Sequence, residues 1–398
     1  MRSSVISSAF LAVTLLSSAA CLHAQQATEG DSTVVYTAEY FEQWAPVTAQ
    51  DMINRIPGIG SPTGGNFGSG SGGRGLGGGG GNQILIDGKR VAGKSNEANS
   101  QLQRISASKV RHIELIRGTS AELDVRGDQI LNIVLTEALS SRTYSYEINT
   151  DRYMDGHVQP GGKIAVNGRE GSFNYLISAE AEPRHDYRPS YETSVLGDYS
   201  PNDEIREKRV RDQTTYTYAA NLAYAINESS SARLNVLYSD YDNTTDVDRT
   251  ITDLTVSPAT DNVQRENTPG NNDNWEVGGD YEIRLSNDHR FKLLFIANEA
   301  SHANDRERFQ VQADGSETKD LFVGSGSVTQ ERIVRSSYSM GIVDGQDVEF
   351  GVERAQTTLD SALRLGVAGT GTPSDQHGGL VPVALNNANS TVEEIRYE

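Results

Sequence analysis

From Ser140 onward, apolar and polar residues alternate one by one, and this constrains the fold more than any other feature of the chain. "TYTYAANLAYAI" puts Tyr216, Tyr218, Ala220, Leu222, Tyr224 and Ile226 on one side. Thr215, Thr217, Ala219, Asn221, Ala223 and Ala225 fall on the other. "NWEVGGDYEIRLS" alternates Trp275, Val277, Tyr281, Ile283 and Leu285 with Glu276, Asp280, Glu282 and Arg284. "SFNYLISAEA" sets Phe173, Tyr175, Ile177 and Ala179 against Asn174, Ser178 and Glu180, and "ARLNVLYSDY" and "RFKLLFIANEA" are similar. Successive side chains of a strand point to opposite faces, so each segment reads as a strand with one apolar and one wet face.

A soluble sandwich and a transmembrane barrel both alternate in this way. Segments of about ten residues with aromatics near their ends are the barrel signature. Short turns such as "INESS" (Ile226 to Ser230) and "LSNDHR" (Leu285 to Arg290) alternate with "RPSYETSVLGDYSPNDEIREKRVRDQ" (Arg188 to Gln213), which reads as a long charged loop. Short turns on one side and long loops on the other favour the membrane.

The N-terminus agrees with that destination. "MRSSVISSAFLAVTLLSSAACLHAQQ" has a positive charge at Arg2, an apolar stretch from Val5 to Ala20 and small residues before Gln25. This is a secretory signal over residues 1–24, with cleavage expected after Ala24. A lipid anchor at Cys21 is the rival, but Ser18 stands where a large aliphatic residue is wanted. Cys21 is the only cysteine, so no disulfide framework and no thiolate metal site is expected. A net charge of −19 would repel phosphates and excludes nucleic acid as a partner.

Between the signal and the alternating region lies a different pattern. "TAQDMINRIPGI" (Thr48 to Ile59) predicts a short helix capped by Thr48 and stopped by Pro57-Gly58. "QILIDGKRV" predicts two strands around an Asp87-Gly88 turn, and "NEANSQLQRISASKVRHIELIRG" a helix followed by a strand from Val110 to Ile116. "DQILNIVLTEA" supplies another strand. The tract "NFGSGSGGRGLGGGGG" contains GxGxxG at Gly68, Gly70 and Gly73. A dinucleotide loop would leave a strand and open a helix, and neither flanks this one. Glycine here suits a crowded loop that needs close backbone approach and positive φ.

"GGRGLGGGGGNQILIDGKRV" and "ISASKVRHIELIRGTSAELDVRGDQILNIVL" together resemble the plug domain of TonB-dependent outer-membrane receptors. The matching positions are Arg74-Gly75, Asp87-Gly88, Val110, Ile113-Glu114, Ile116-Arg117-Gly118, Ser120, Gly127 and Asn132-Ile133-Val134. Where the family often repeats a glycine before "NIV", this chain has Gln129-Ile130-Leu131. "DSTVVYTA" is similar to the family's TonB box, carried here by Asp31, Ser32, Thr33, Val34, Val35 and Tyr36, although any such run also reads as a plain edge strand. The resemblance implies a mainly β protein: a TonB-box segment and linker at 25–45, a small α+β plug at 46–139, and antiparallel barrel strands at 140–398. It also implies an outer-membrane receptor and transporter that takes a small extracellular ligand such as a siderophore or carbohydrate. The periplasmic TonB protein would energise it, and outer-membrane lipid would surround it.

Neither catalysis nor a cofactor is expected. The seven histidines include no HxxxH or HExxH pair, which argues against a protein-held metal. Glu114, Arg117 and Arg126 read as salt bridges fastening the plug to the barrel wall. Asn174, Glu276, Asp280 and Arg284 read as wet lumen-facing positions. A plugged barrel has 22 strands, which need roughly 220 residues before any loops are counted. About 260 residues follow Leu139, with about ten strand candidates, and the chain ends in "TVEEIRYE". The barrel is therefore expected to be incomplete. A truncated receptor or a binding module without transport activity stands as the alternative.

Overall fold

The structure, a computed structural model, describes residues 33–57, 59, 83–90, 101–117, 129–136, 140–286, 289–343, 346–385 and 387–397. The signal, Asp31, Ser32, the glycine tract with Arg74 and Gly75, Gly118, Ser120, Arg126 and Gly127 lie outside these residues. The described residues form two sheets.

The smaller sheet has the strand order β1-β4-β5-β2-β3. Its strands are β1 (Thr33–Thr37), β2 (Gln83–Ile86), β3 (Lys89–Arg90), β4 (Val110–Arg117) and β5 (Gln129–Leu135). Helix α1 (Ala38–Phe41) follows β1, and α2 (Ala49–Ile53) packs beside it. Helix α2 is shorter than the sequence predicts, because Ile56 precedes Pro57 and that position disfavours helical backbone. Its start is as expected: Thr48 accepts from the Asp51 amide while Asp51 accepts from the Thr48 amide, a complete capping box. Phe41, Met52, Ile56, Leu102, Ile113, Leu115, Leu131 and Ile133 are essentially inaccessible and form one apolar core. Phe41 lies in that core, with Tyr36 and Tyr40 packed against it.

The larger sheet is antiparallel and eleven-stranded. It runs from β6 (Ser140–Arg152) through β7 (Val158–Glu170), β8 (Phe173–Val195), β9 (Pro201–Asn227), β10 (Ser230–Asp253), β11 (Thr260–Ser286), β12 (His289–Val311) and β13 (Glu317–Val343) to β14 (Gln346–Val367). Two short strands, β15 (Val381–Val383) and β16 (Ala388–Tyr397), share the outer edge of β14. The terminal alternation is thus a strand.

One expectation needs correction. Arg188 to Gln213 is not a loop: apart from the turn at 196–200 it belongs to β8 and β9, which keep one register up to Ser194 and Asp203 and pair on to Val195 and Pro201. Strand lengths of 22–27 residues in β8 to β14 replace the ten-residue segments expected. Ladder hydrogen bonds are made by backbone and are indifferent to side-chain polarity. Beyond the apolar stretch both faces of the hairpin are charged and wet, and cross-strand pairs such as Arg206 over the Tyr191 ring and Lys208 over the Tyr187 ring line it. The turn expected from "INESS" is present and short, and β11 and β12 pair as far as Ser286 and His289, on either side of the centre of "LSNDHR", which lies outside the described residues.

Candidate functional site

The register of the large sheet assembles its apolar residues into a band. Tyr146, Ile164, Ala179, Tyr218, Tyr238 and Trp275 form one row across six strands. Phe173, Tyr224, Ala232, Tyr281 and Leu293 form a second row, with six residues separating Tyr218 from Tyr224 and Trp275 from Tyr281. At 3.4 Å per residue the two aromatic rows are about 20 Å apart along the strands. Ile177, Ala220, Leu222, Val236, Leu234, Val277 and Phe295 lie between them. This face is open: Ile177 is 50% exposed, Tyr218 51% and Tyr224 50%. An outward apolar band flanked by aromatic girdles is the arrangement a lipid bilayer selects.

The opposite face is polar and covered. Ser178, Asn235, Glu276, Asp280, Glu331 and Glu353 all lie there and are all buried. Arg233 donates to Asp280 at 2.7 and 3.1 Å, and Asn298 and Thr357 donate to Glu331. Of the four wall residues predicted from sequence, Glu276 and Asp280 are buried in this network, whereas Asn174 and Arg284 sit exposed at the near end. Towards the far end, Glu266 is held by Arg306 at 2.7 and 2.9 Å and by Arg249 at 3.3 Å. Burial would raise its carboxyl, but the two guanidiniums outweigh that and hold it below the ordinary glutamate value.

The small unit docks on this polar face. Leu176 of β8 joins the small unit's core. Lys163 of β7 donates to the Gln103 carbonyl at 3.3 Å and stands 3.6 Å from Glu180. Arg104 is buried, and that burial lowers its pKa although Glu180 partly offsets it. The link to the wall therefore runs through Gln103, Arg104, Lys163 and Glu180, none of which the sequence singled out for it.

Glu114 does something else. It accepts from Asn132 at 2.7 Å and bonds His112 at 3.0 Å, inside the small sheet. Asn132 in turn accepts from the Gly88 amide at 2.8 Å, and Asp87 accepts from the Leu135 amide at 2.8 Å. Asp87 and Gly88 have φ of 50° and 74°, the positive pair that a tight hairpin turn demands. Asp87, Gly88, Glu114 and Asn132 are thus one polar network that holds the β2–β3 turn against β5 and β4. The expectation that Glu114 fastens this unit to the wall is overturned, because both its oxygens are already engaged across the small sheet. Arg117 lies at the end of β4.

Strand β1 carries Thr33 to Tyr36 on the margin of the small sheet, paired on one side with β4 from Ile116 to His112. Tyr36 packs against Tyr40 and Phe41, while Val34 and Val35 are exposed. Among the described residues its second edge pairs with no strand.

Residues 25–127 match the family model described as the TonB-dependent receptor plug domain. The chain carries a TonB-dependent receptor plug domain. Solved structures to which the chain is similar include the ferric yersiniabactin uptake receptor FyuA from Yersinia pestis, 11% identical with a TM-score of 0.36, over 92% of this chain and 61% of that one. The ferric-catecholate import receptor Fiu from K12 E. coli, in its closed form, is 9% identical with a TM-score of 0.35, over 92% and 62%. The copper transporter OprC is 12% identical with a TM-score of 0.33, over 93% and 60%. The chain spans about three fifths of the length of these receptors.

Sequence reasoning missed one cluster altogether. His157, His185 and Asp212 come from a turn and two strands, and each offers a ligand atom within 4.8 Å of the others. The signal that would have found it is register, since His185 and Asp212 are directly paired across β8 and β9.

Proposed function

We propose that this chain belongs to an outer-membrane, TonB-dependent receptor that admits a small extracellular solute, such as a siderophore or a carbohydrate, without a bond-making step. The observation that carries the reading is the position of the plug: it lies on the buried polar face of a sheet whose other face is an exposed apolar band. A plug in such a place obstructs a wet passage, and moving it is the only act required of the protein. Apart from Leu176, the contacts described between plug and wall are polar, through Lys163, Glu180 and Arg104, which suits a plug that has to separate from the wall.

The segment Asp31 to Tyr36 is the proposed handle. Its exposed edge and β-branched residues suit addition of a strand from the periplasmic TonB protein. The test is capture of the full detergent-extracted chain by the periplasmic domain of TonB. Successive amides of a strand point to opposite edges, so V34P and V35P each remove a donor from a different edge. One of the two should abolish capture while the plug stays folded. Absence of capture by the parent chain, or equal capture by parent and both variants, would overturn the proposal.

A further inference from the structure

Beyond the apolar band, at the far end of β7 and β8, the sheet has a gap. β7 pairs with β8 only from Gly162 to Glu170, although β8 continues to Val195. From Val158 to Gly161 the β6–β7 hairpin runs without a β8 partner. It nonetheless stays close to β8. A Cβ on Gly161 would collide with the side chains of Asn149 and Pro183 and come within 3.0 Å of the Ala181 carbonyl.

What spans the gap is a group of side chains centred on His185, which is buried. Its Nδ1 lies 2.6 Å from Asp212 of β9, and its Nε2 lies 2.7 Å from Asp155 of the β6–β7 turn. His157 of the same turn stacks on its ring, with centroids 4.3 Å apart and 14° between planes, and Tyr153 packs against it. Gln159 donates to Asp212 at 3.3 Å, and its side-chain amide oxygen is buried with no hydrogen-bond partner among the described residues. A neutral imidazole has a single N–H and cannot satisfy two carboxylates, so this position calls for a cation between β8, β9 and the turn.

We propose that this group is a binding site for a divalent transition cation of the zinc class, ligated by His185 Nδ1, a carboxylate oxygen of Asp212 and a ring nitrogen of His157. Two imidazoles and a carboxylate are the donor set that such ions take. The cation replaces the proton between Nδ1 and Asp212, and that proton leaves to solvent. Nε2–H remains on Asp155, which acts as a positioning residue fixing the tautomer and the ring. Bonds of 2.0–2.1 Å around a tetrahedral ion need ligand atoms about 3.4 Å apart, so His185 Nδ1 and Asp212 must open from 2.6 Å by roughly 0.8 Å, while the exposed turn closes by up to roughly 1.4 Å and turns His157 out of its stack. The bound ion staples the β6–β7 hairpin to β8 and β9 where the backbone ladder stops. The inference uses none of the residues on which the transport reading rests, so either can fail alone.

The experiment is calorimetric titration of the full detergent-extracted, chelator-stripped chain with Zn2+, followed by Co2+ absorption in the visible. The expected result is one Zn2+ per chain. H157Q, at an exposed turn where folding is not at stake, should weaken binding at least tenfold and erase the Co2+ band. D155N should weaken it by roughly ten- to a hundredfold while keeping a Co2+ band. Absence of stoichiometric binding overturns the proposal, and so does H157Q binding like the parent.

Discussion

The two sheets of this protein bury opposite things. In the plug, Phe41, Ile113, Leu131 and Ile133 are fully inside, and Val34 and Val35 are among the few large apolar residues in the open. In the large sheet, Glu276, Asp280, Glu331 and Glu353 are inside, and Ile177, Tyr218 and Tyr224 are outside. The first arrangement is what water imposes on any small domain. The second is stable only where the outer face meets something apolar and the buried charges are paired, as Asp280 Oδ2 is by Arg233. On the proposed reading the same chain is sorted by two solvents, with its hydrophobic residues directed inward in one half and outward in the other.

The contrast breaks most severely in the plug core. L131A should cost about 2–5 kcal/mol of plug stability, because a fully buried side chain leaves a cavity. Hydrogen exchange on the plug amides measures it, and a loss under 1 kcal/mol would mean the core is not closed.

The sheet gives the sharper test. Ile177 is half exposed, so in a water-soluble protein I177R would change stability by no more than about 0.5 kcal/mol. In an apolar band the same substitution should cost about 2–4 kcal/mol. Urea unfolding from lipid vesicles separates the two, and a negligible effect would remove the bilayer from the account. The smallest effect belongs to the plug helix. T48A removes the capping acceptor for the Asp51 amide and should cost about 1 kcal/mol. Its readout is a modest drop in plug protection with no change in the large sheet.

Much of this was legible from residues alone. Period-two alternation requires strands, and Tyr216 to Ile226 or Trp275 to Leu285 name their apolar faces without any coordinates. Asp87-Gly88 announced its turn because few other pairs tolerate positive φ twice in succession. The charged stretch from Arg188 to Gln213 was misread because charge density is a property of side chains, whereas ladder pairing is a property of backbone. Nothing local distinguishes a wet hairpin from a wet loop.

What the sequence determined by itself, then, is periodicity: which residues share a face, and where turns must fall. Those depend on bond geometry within a few residues. Tertiary structure alone decided which faces meet and which side chains converge across long separations. Glu114 joined Asn132 and not the wall, and Lys163 reached Gln103. His185 found Asp212 through strand register and Asp155 through a hairpin that folds back over β8. Such encounters depend on the register between strands, and register is set by the whole ladder and not by the residues that it brings together.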